Sequence, residues 1–169
     1  MGRRTNSEQI RSLISKIRAE IPDAAIRTSI IVGFPGETQE EFEELCEFVK
    51  EIRFERMGVF AYSREEDTPA YDFDNQIDED EKMRRRDLLM LIQSDIAQEQ
   101  NSAKIGTKIR VLTEDKDEII KSYFGRTYAD SEEVDGKVFF KSDRVIQSGE
   151  FVEVEVEQAM EYDLFGKEI

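Results

Sequence analysis

The sequence predicts an α/β segment built on a parallel sheet over residues 1–102, followed by a small antiparallel β-barrel over residues 103–169. Three features carry this prediction. Residues 26–32 (IRTSIIV) form a β-branched run that stops at Gly33-Phe34-Pro35-Gly36, as a buried strand of a parallel sheet does. A helical pattern follows, and then a second strand over residues 56–62 (RMGVFAY). Beyond Gly106 the apolar period falls to two, and FVEVEV at residues 151–156 alternates without a break.

The turn at residues 33–36 is the organising feature of the first half. Thr38 with Glu41 is a capping-box pair, so the sequence reads strand, glycine-rich turn, helix. In a parallel α/β sheet such a turn lies at the carboxyl end of the strand, where ligands bind. Glycines allow close backbone approach to a ligand. Glu37, Glu40 and Glu41 occupy the positive end of the helix and would repel a phosphate. The spacing matches neither a P-loop nor a dinucleotide fingerprint. A neutral edge such as adenine suits the turn better, and the same residues are equally compatible with an ordinary βα connection.

Ahead of the strand, Thr5 and Glu8 suggest a capping box, and Ile10, Leu13, Ile14 and Ile17 recur at helical spacing up to a stop at Pro22. After the turn, Phe42, Leu45, Cys46, Val49 and Ile52 form the apolar stripe of a second helix, which makes Cys46 a buried structural thiol. Two strands flanking a helix make a parallel βαβ unit. Residues 63–75 form a long acidic loop of the kind found on the substrate side of a site. Asp78 and Glu81 suggest a third capping box. The helix running from there to about Ser102 is apolar enough to pack on two surfaces, a sheet and a second domain. Residues 107–112, 119–124, 137–140 and 151–156 read as strands separated by turns at Gly125, Gly136 and Gly149.

Composition narrows the function classes. The 169 residues carry 24 basic and 39 acidic groups, a net charge of −15, and both halves are acidic. Such a field disfavours nucleic-acid backbones and favours basic partners. The absence of histidine removes the usual zinc ligand and general base. A single cysteine excludes a disulfide framework and suggests a reducing, cytoplasmic setting, and no apolar run approaches a membrane span.

The segment IIVGFPGET followed by an acidic helix resembles the late strand of the radical S-adenosylmethionine barrel in methylthiotransferases. GRTYADSEEVDGKV at residues 125–138 resembles the TRAM domain of the same family, a small β-barrel. The resemblance implies a partial parallel (β/α) radical barrel over 1–102 joined to a TRAM domain over 103–169. It also implies radical sulfur insertion followed by methyl transfer, using S-adenosylmethionine and two 4Fe-4S clusters. Within the family, IRTSII and the acidic YADSEEVDG segment look like the branch that modifies an aspartate of the twelfth small-subunit ribosomal protein. The acidic charge agrees, because it would attract a basic ribosomal protein through the TRAM domain and repel transfer RNA. The alternatives are the branch acting on isopentenylated adenosine of transfer RNA and a non-catalytic acidic protein-binding module.

The three-cysteine cluster motif of the family is absent, so the chain resembles the carboxyl-terminal part of a longer enzyme, inert without its amino-terminal domains. Site roles follow position by position from the resemblance. Ser29 and the backbone of Val32, Gly33 and Phe34 stand where relatives contact the ribose and adenine of S-adenosylmethionine. Arg3 stands where relatives place an arginine facing the cofactor carboxylate. Ser29 is equally readable as a strand residue with a satisfied hydroxyl, often aspartate in relatives, and Arg3 as a solvated residue. An incomplete parallel sheet leaves apolar strand surface uncovered, so self-association is also expected.

Overall fold

A computed structural model of the chain describes residues 5–169, which form two compact units divided between Ile96 and Ala97. The first unit contains helix α1 (Ser7–Glu20), strand β1 (Arg27–Val32), helix α2 (Gln39–Ile52), strand β2 (Arg56–Ala61), a 3-10 turn (Pro69–Asp72), and helix α3 (Glu79–Ser102) as far as Ile96. β1 and β2 pair in parallel, Arg27 opposite Arg56 and Val32 opposite Ala61. The expected βαβ unit is therefore present, as a two-stranded sheet among the described residues.

Local chemistry sets the helix ends. Asn6, not Thr5, caps α1: its side chain accepts from the Gln9 amide, and the Gln9 side chain accepts from the Asn6 amide. The Thr38–Glu41 capping box opens α2 as the sequence predicts. α2 ends at Arg53 in the left-handed region, and Arg18 of α1 donates to the freed carbonyls of Ile52 and Arg53. At α3 the Asp78 carboxylate accepts from the Asp80 amide, while Glu81 turns to Arg84 and Arg85, in place of the expected reciprocal box.

The core of this unit lies on one face of the sheet. Ile14, Phe42, Cys46, Val49, Ile52, Leu89 and Ile96 from the helices pack with Val32, Met57 and Val59 from the strands. α3 buries one stripe, Lys82, Arg85, Leu89, Gln93 and Ile96, spaced by three and four residues. Leu88 and Leu91 lie outside that stripe and are exposed, as is Leu13 of α1. Gln93 is tied in by donating to the Phe54 carbonyl at 2.9 Å.

The second unit is a closed five-strand barrel of β3 (Lys108–Asp117), β4 (Ser122–Arg126), β5 (Val138–Lys141), β6 (Phe151–Ala159) and β7 (Leu164–Glu168), in the order β3-β4-β5-β7-β6. The expected antiparallel barrel needs one correction: β5 and β7 run parallel. A closed ring of five strands cannot alternate direction throughout, so at least one parallel pair is unavoidable. β7 is the strand the sequence reading did not find, being short and interrupted by Gly166. Residues 119–120 form a turn and Gly125 lies inside β4, whereas the sequence suggested a strand and a turn there.

The alternation of β6 sends Val152, Val154 and Val156 inward against Val111, Val138, Phe140, Ile146 and Leu164. Asn101, in the last turn of α3, donates to the carbonyls of Met160 and Glu161 at 3.2 and 3.0 Å and fixes the β6–β7 connection. No helix among the described residues is long and apolar enough to cross a membrane. Phe140 is 1% exposed, so Phe140→Ala is expected to lower stability by about 3–5 kcal/mol in urea unfolding.

Candidate functional site

The turn after β1 is closed twice by backbone bonds. The Glu37 amide donates to the Phe34 carbonyl at 2.9 Å, and the Gly36 amide donates to the Asn75 carbonyl at 3.0 Å. Pro35 and Gly36 are the central residues of the first of these turns, and Gly36 has φ +85°, the pattern of a type II turn. Gly33 has φ +75° and lies against α3, where a Cβ would stand 2.5 Å from Lys82 Cγ. The turn is thus pinned on one side by helix α3 and on the other by the loop ending at Asn75.

Glu37 folds back beneath this turn. Its carboxylate accepts from the Gly33 amide at 3.1 Å and from Arg85 Nη1 at 2.6 Å. Arg85 also donates to the Glu37 carbonyl at 3.0 Å and, through Nε, to Glu81 at 2.8 Å. Its guanidinium carbon lies 5.3 Å from the Phe42 ring centre. The side chains of Arg85 and Glu37 are only 6% and 15% exposed, which makes this a shielded, hydrogen-bonded ion pair. Glu37 therefore does not face a ligand as a free negative charge, as the sequence alone suggested; it is neutralised within the turn. Glu40 does stay at the start of α2, its carboxyl held below the usual range by its own backbone amide and the Thr38 hydroxyl. Beside the pair, Lys82 is 2% exposed, donates to Glu79 at 2.6 Å and sits 5.3 Å from the Tyr62 ring centre.

A cavity of about 790 Å³ opens on the sheet face away from the core, at the carboxyl ends of β1 and β2. Ser29 and Ile31 of β1, Phe60 of β2 and the rings of Phe34, Tyr62 and Phe73 are among its walls. Phe34 meets Tyr62 and Phe73 edge-on, with ring centres 5.1 and 6.1 Å apart. Gln76 ties down the far wall by donating to the carbonyls of Ala70 and Phe73. Ile31 and Phe60 remain 41% and 57% exposed, so the cavity has an apolar, open floor.

Of the sequence-derived site residues, Ser29 and Phe34 are brought together in this cavity. Val32 points the other way, fully buried in the core, and its carbonyl accepts from the Tyr62 amide at 2.8 Å. The Gly33 amide is committed to Glu37. Arg3 lies outside the described residues. Sequence reasoning missed Phe60, Tyr62 and Phe73 as cavity walls and Lys82 and Arg85 as supports of the turn. The signal for the two cations was their place on the apolar stripe of α3, three and four residues from one another and from Leu89.

Among the described residues, no group of three or more His, Cys, Asp or Glu side chains is placed to hold a metal ion. Cys46 is buried, and that burial pushes its thiol above the usual range, which fits a structural residue.

A family model described as the TRAM domain matches residues 105–169. Along 98% of its length the chain is 52% identical to the ribosomal protein uS12 methylthiotransferase RimO of Clostridioides difficile strain 630, covering 37% of that protein. It is 51% identical to the RimO of Lachnoclostridium phytofermentans over 98% of the chain and 38% of the relative. It is 46% identical to that of Acetivibrio thermocellus over 100% of the chain and 37% of the relative. The chain is RimO-like in sequence, and it spans less than two fifths of the length of these curated relatives.

Two measurements test this account of the turn. Gly33→Ala meets both the positive φ and Lys82, whereas Gly36→Ala meets only the positive φ, with nothing within 4 Å of its Cβ. Urea unfolding is expected to show a loss of about 1–2 kcal/mol for Gly36→Ala and a larger loss for Gly33→Ala. The carboxyl of Glu81 is held down to about 2, against an ordinary 4.5, by hydrogen bonds from Arg84 and Arg85. A depressed carboxylate stabilises the fold above its unfolded value and loses that contribution as pH falls through its folded value. The wild-type advantage over Glu81→Gln should therefore hold above pH 4.5 and vanish as pH falls toward 2, read from thermal melts across that range.

Proposed function

We propose that this chain is the carboxyl-terminal part of a methylthiotransferase that acts on ribosomal protein uS12, the substrate that the names of its relatives print for those proteins, with an aspartate as the modified residue by the resemblance alone. In this reading the first unit supplies two late strands of a parallel radical S-adenosylmethionine barrel, with residues 1–102 as that part and residues 103–169 as the TRAM domain. The observation that carries it is the aromatic-lined cavity at the carboxyl ends of β1 and β2, the end of a parallel sheet where ligands bind.

The residues present suit an adenosyl group. Phe34, Tyr62 and Phe73 offer ring faces and edges for a base, and Ser29 offers a hydroxyl. Tyr62 Oη is buried and has no hydrogen-bond partner among the described residues, a polar atom that a ligand could satisfy after a small shift. S-adenosylmethionine, when bound, supplies the radical precursor and the methyl group of methylthiolation. The chain's own part is to bind and orient the adenosyl end on Ser29 and the aromatic walls, and to exclude water from it with the loop carrying Phe73. Arg3 is assigned, by the resemblance alone, to the cofactor carboxylate. The two 4Fe-4S clusters do not fit this chain. Its single cysteine is buried on α2, so their thiolate ligands belong to other parts of the parent. We expect the chain by itself to be catalytically inert.

The exposed Ile31 and Phe60 are explained in this reading as surface that the remaining barrel strands cover, and they favour self-association when those strands are missing. The net charge of −15 supports a basic protein partner in a cytoplasmic setting and argues against transfer RNA, the rival substrate. Binding of the chain to purified uS12 and to transfer RNA, side by side across a salt series, tests this. The expected outcome is uS12 binding that weakens with salt and no comparable affinity for transfer RNA. Preference for transfer RNA would contradict the assignment.

A further inference from the structure

We propose that Glu37 and Arg85 are positioning residues for the ligand turn: their buried ion pair sets the backbone of residues 33–37 in the shape that presents Phe34 to the cavity. This inference rests on the reading that an adenosyl group lies in the cavity, and it adds the residues that hold the turn ready for it.

The geometry assigns the pair this role because each of its bonds ends on the turn or on its anchor. The Glu37 carboxylate grips the first residue of the turn, at the Gly33 amide, while the Glu37 amide closes the turn on the Phe34 carbonyl. One residue thus fixes both ends of the segment that carries Phe34. Arg85 holds that residue through its side chain and its carbonyl, and is itself held by Glu81 on the same helix. A carboxylate in this shielded place without its guanidinium would retain an uncompensated charge and would turn toward water, releasing Gly33. Lys82 packs directly against Gly33, leaving no room there for a side chain. Neither Glu37 nor Arg85 lines the cavity, so both act through the turn and not by touching a ligand.

The test uses the full 169-residue chain, isotope-labelled, with S-adenosylhomocysteine as the probe. Variants are Arg85→Met, Arg85→Lys and Glu37→Gln. Amide exchange at Gly33 reports the clamp, probe affinity reports its consequence, and the barrel resonances with cooperative melting report that the chain is folded. The expected result is probe binding by the wild type that shifts the Phe34, Tyr62 and Phe73 resonances. Arg85→Met should weaken that binding by about tenfold or more and speed Gly33 exchange by a similar factor, the scale of a lost charge-assisted hydrogen bond. Arg85→Lys should recover part of both, because it restores the charge without the fork. If Arg85→Met does not fold, Arg85→Lys and Glu37→Gln carry the comparison. Probe binding that all folded variants leave unchanged would overturn the positioning role while sparing the cavity assignment. No probe binding by the wild type would overturn the cavity assignment and the positioning role with it.

Discussion

The first unit depends on the period of two in its parallel strands. Val32, Met57 and Val59 face a core supplied by three helices, and the alternation then forces Ser29, Ile31 and Phe60 onto the opposite face. A one-residue slip would exchange the two sets, so burial on the helix side fixes the register and with it the floor of the cavity. The helix side is closed and well packed. The other side is open and apolar.

At the end of β1 the chain must leave the sheet and enter α2 within a few residues, and the solution is electrostatic as much as conformational. Two positive-φ glycines give the backbone its path. The Glu37–Arg85 pair then joins the turn to α3, and the Gly36–Asn75 bond joins it to the loop that carries Phe73. Helix α3 thereby supports the cavity from below without contributing to its walls. In the barrel unit the governing constraint is different: a five-strand ring closes only with a parallel pair, and β7 is the strand that accepts it.

Much of this was legible in the sequence because it rests on short-range patterns. The FVEVEV alternation, the Thr38–Glu41 box and the apolar stripe of α2 all report local geometry directly. The misses have physical reasons. β7 has the sequence LFGKE, too short and too polar for its pattern to stand out, and its place is set by ring closure. Asn6 caps α1 with Gln9 reciprocating, one residue beyond the Thr5–Glu8 pair, which has the same spacing and so could not be told apart from sequence. Arg85 stands among three consecutive arginines, and the one mark that separates it from exposed Arg84 is its place four residues before Leu89 on the buried stripe; its partners in the turn come from tertiary contact. Of the site itself, Ser29 and Phe34 were accessible to sequence reasoning, whereas Phe60, Tyr62 and Phe73 converge on them from β2, its end and the following loop.

The most direct test of the central claim, that the open face of the β1–β2 sheet is an adenosyl site, is an experimental structure of this chain with S-adenosylhomocysteine. The account requires the adenine ring between the walls formed by Phe34, Tyr62 and Phe73, with Ser29 within hydrogen-bonding reach of the nucleoside. A ligand seated on the barrel unit or on the helix side of the sheet, with this cavity unchanged, would contradict it.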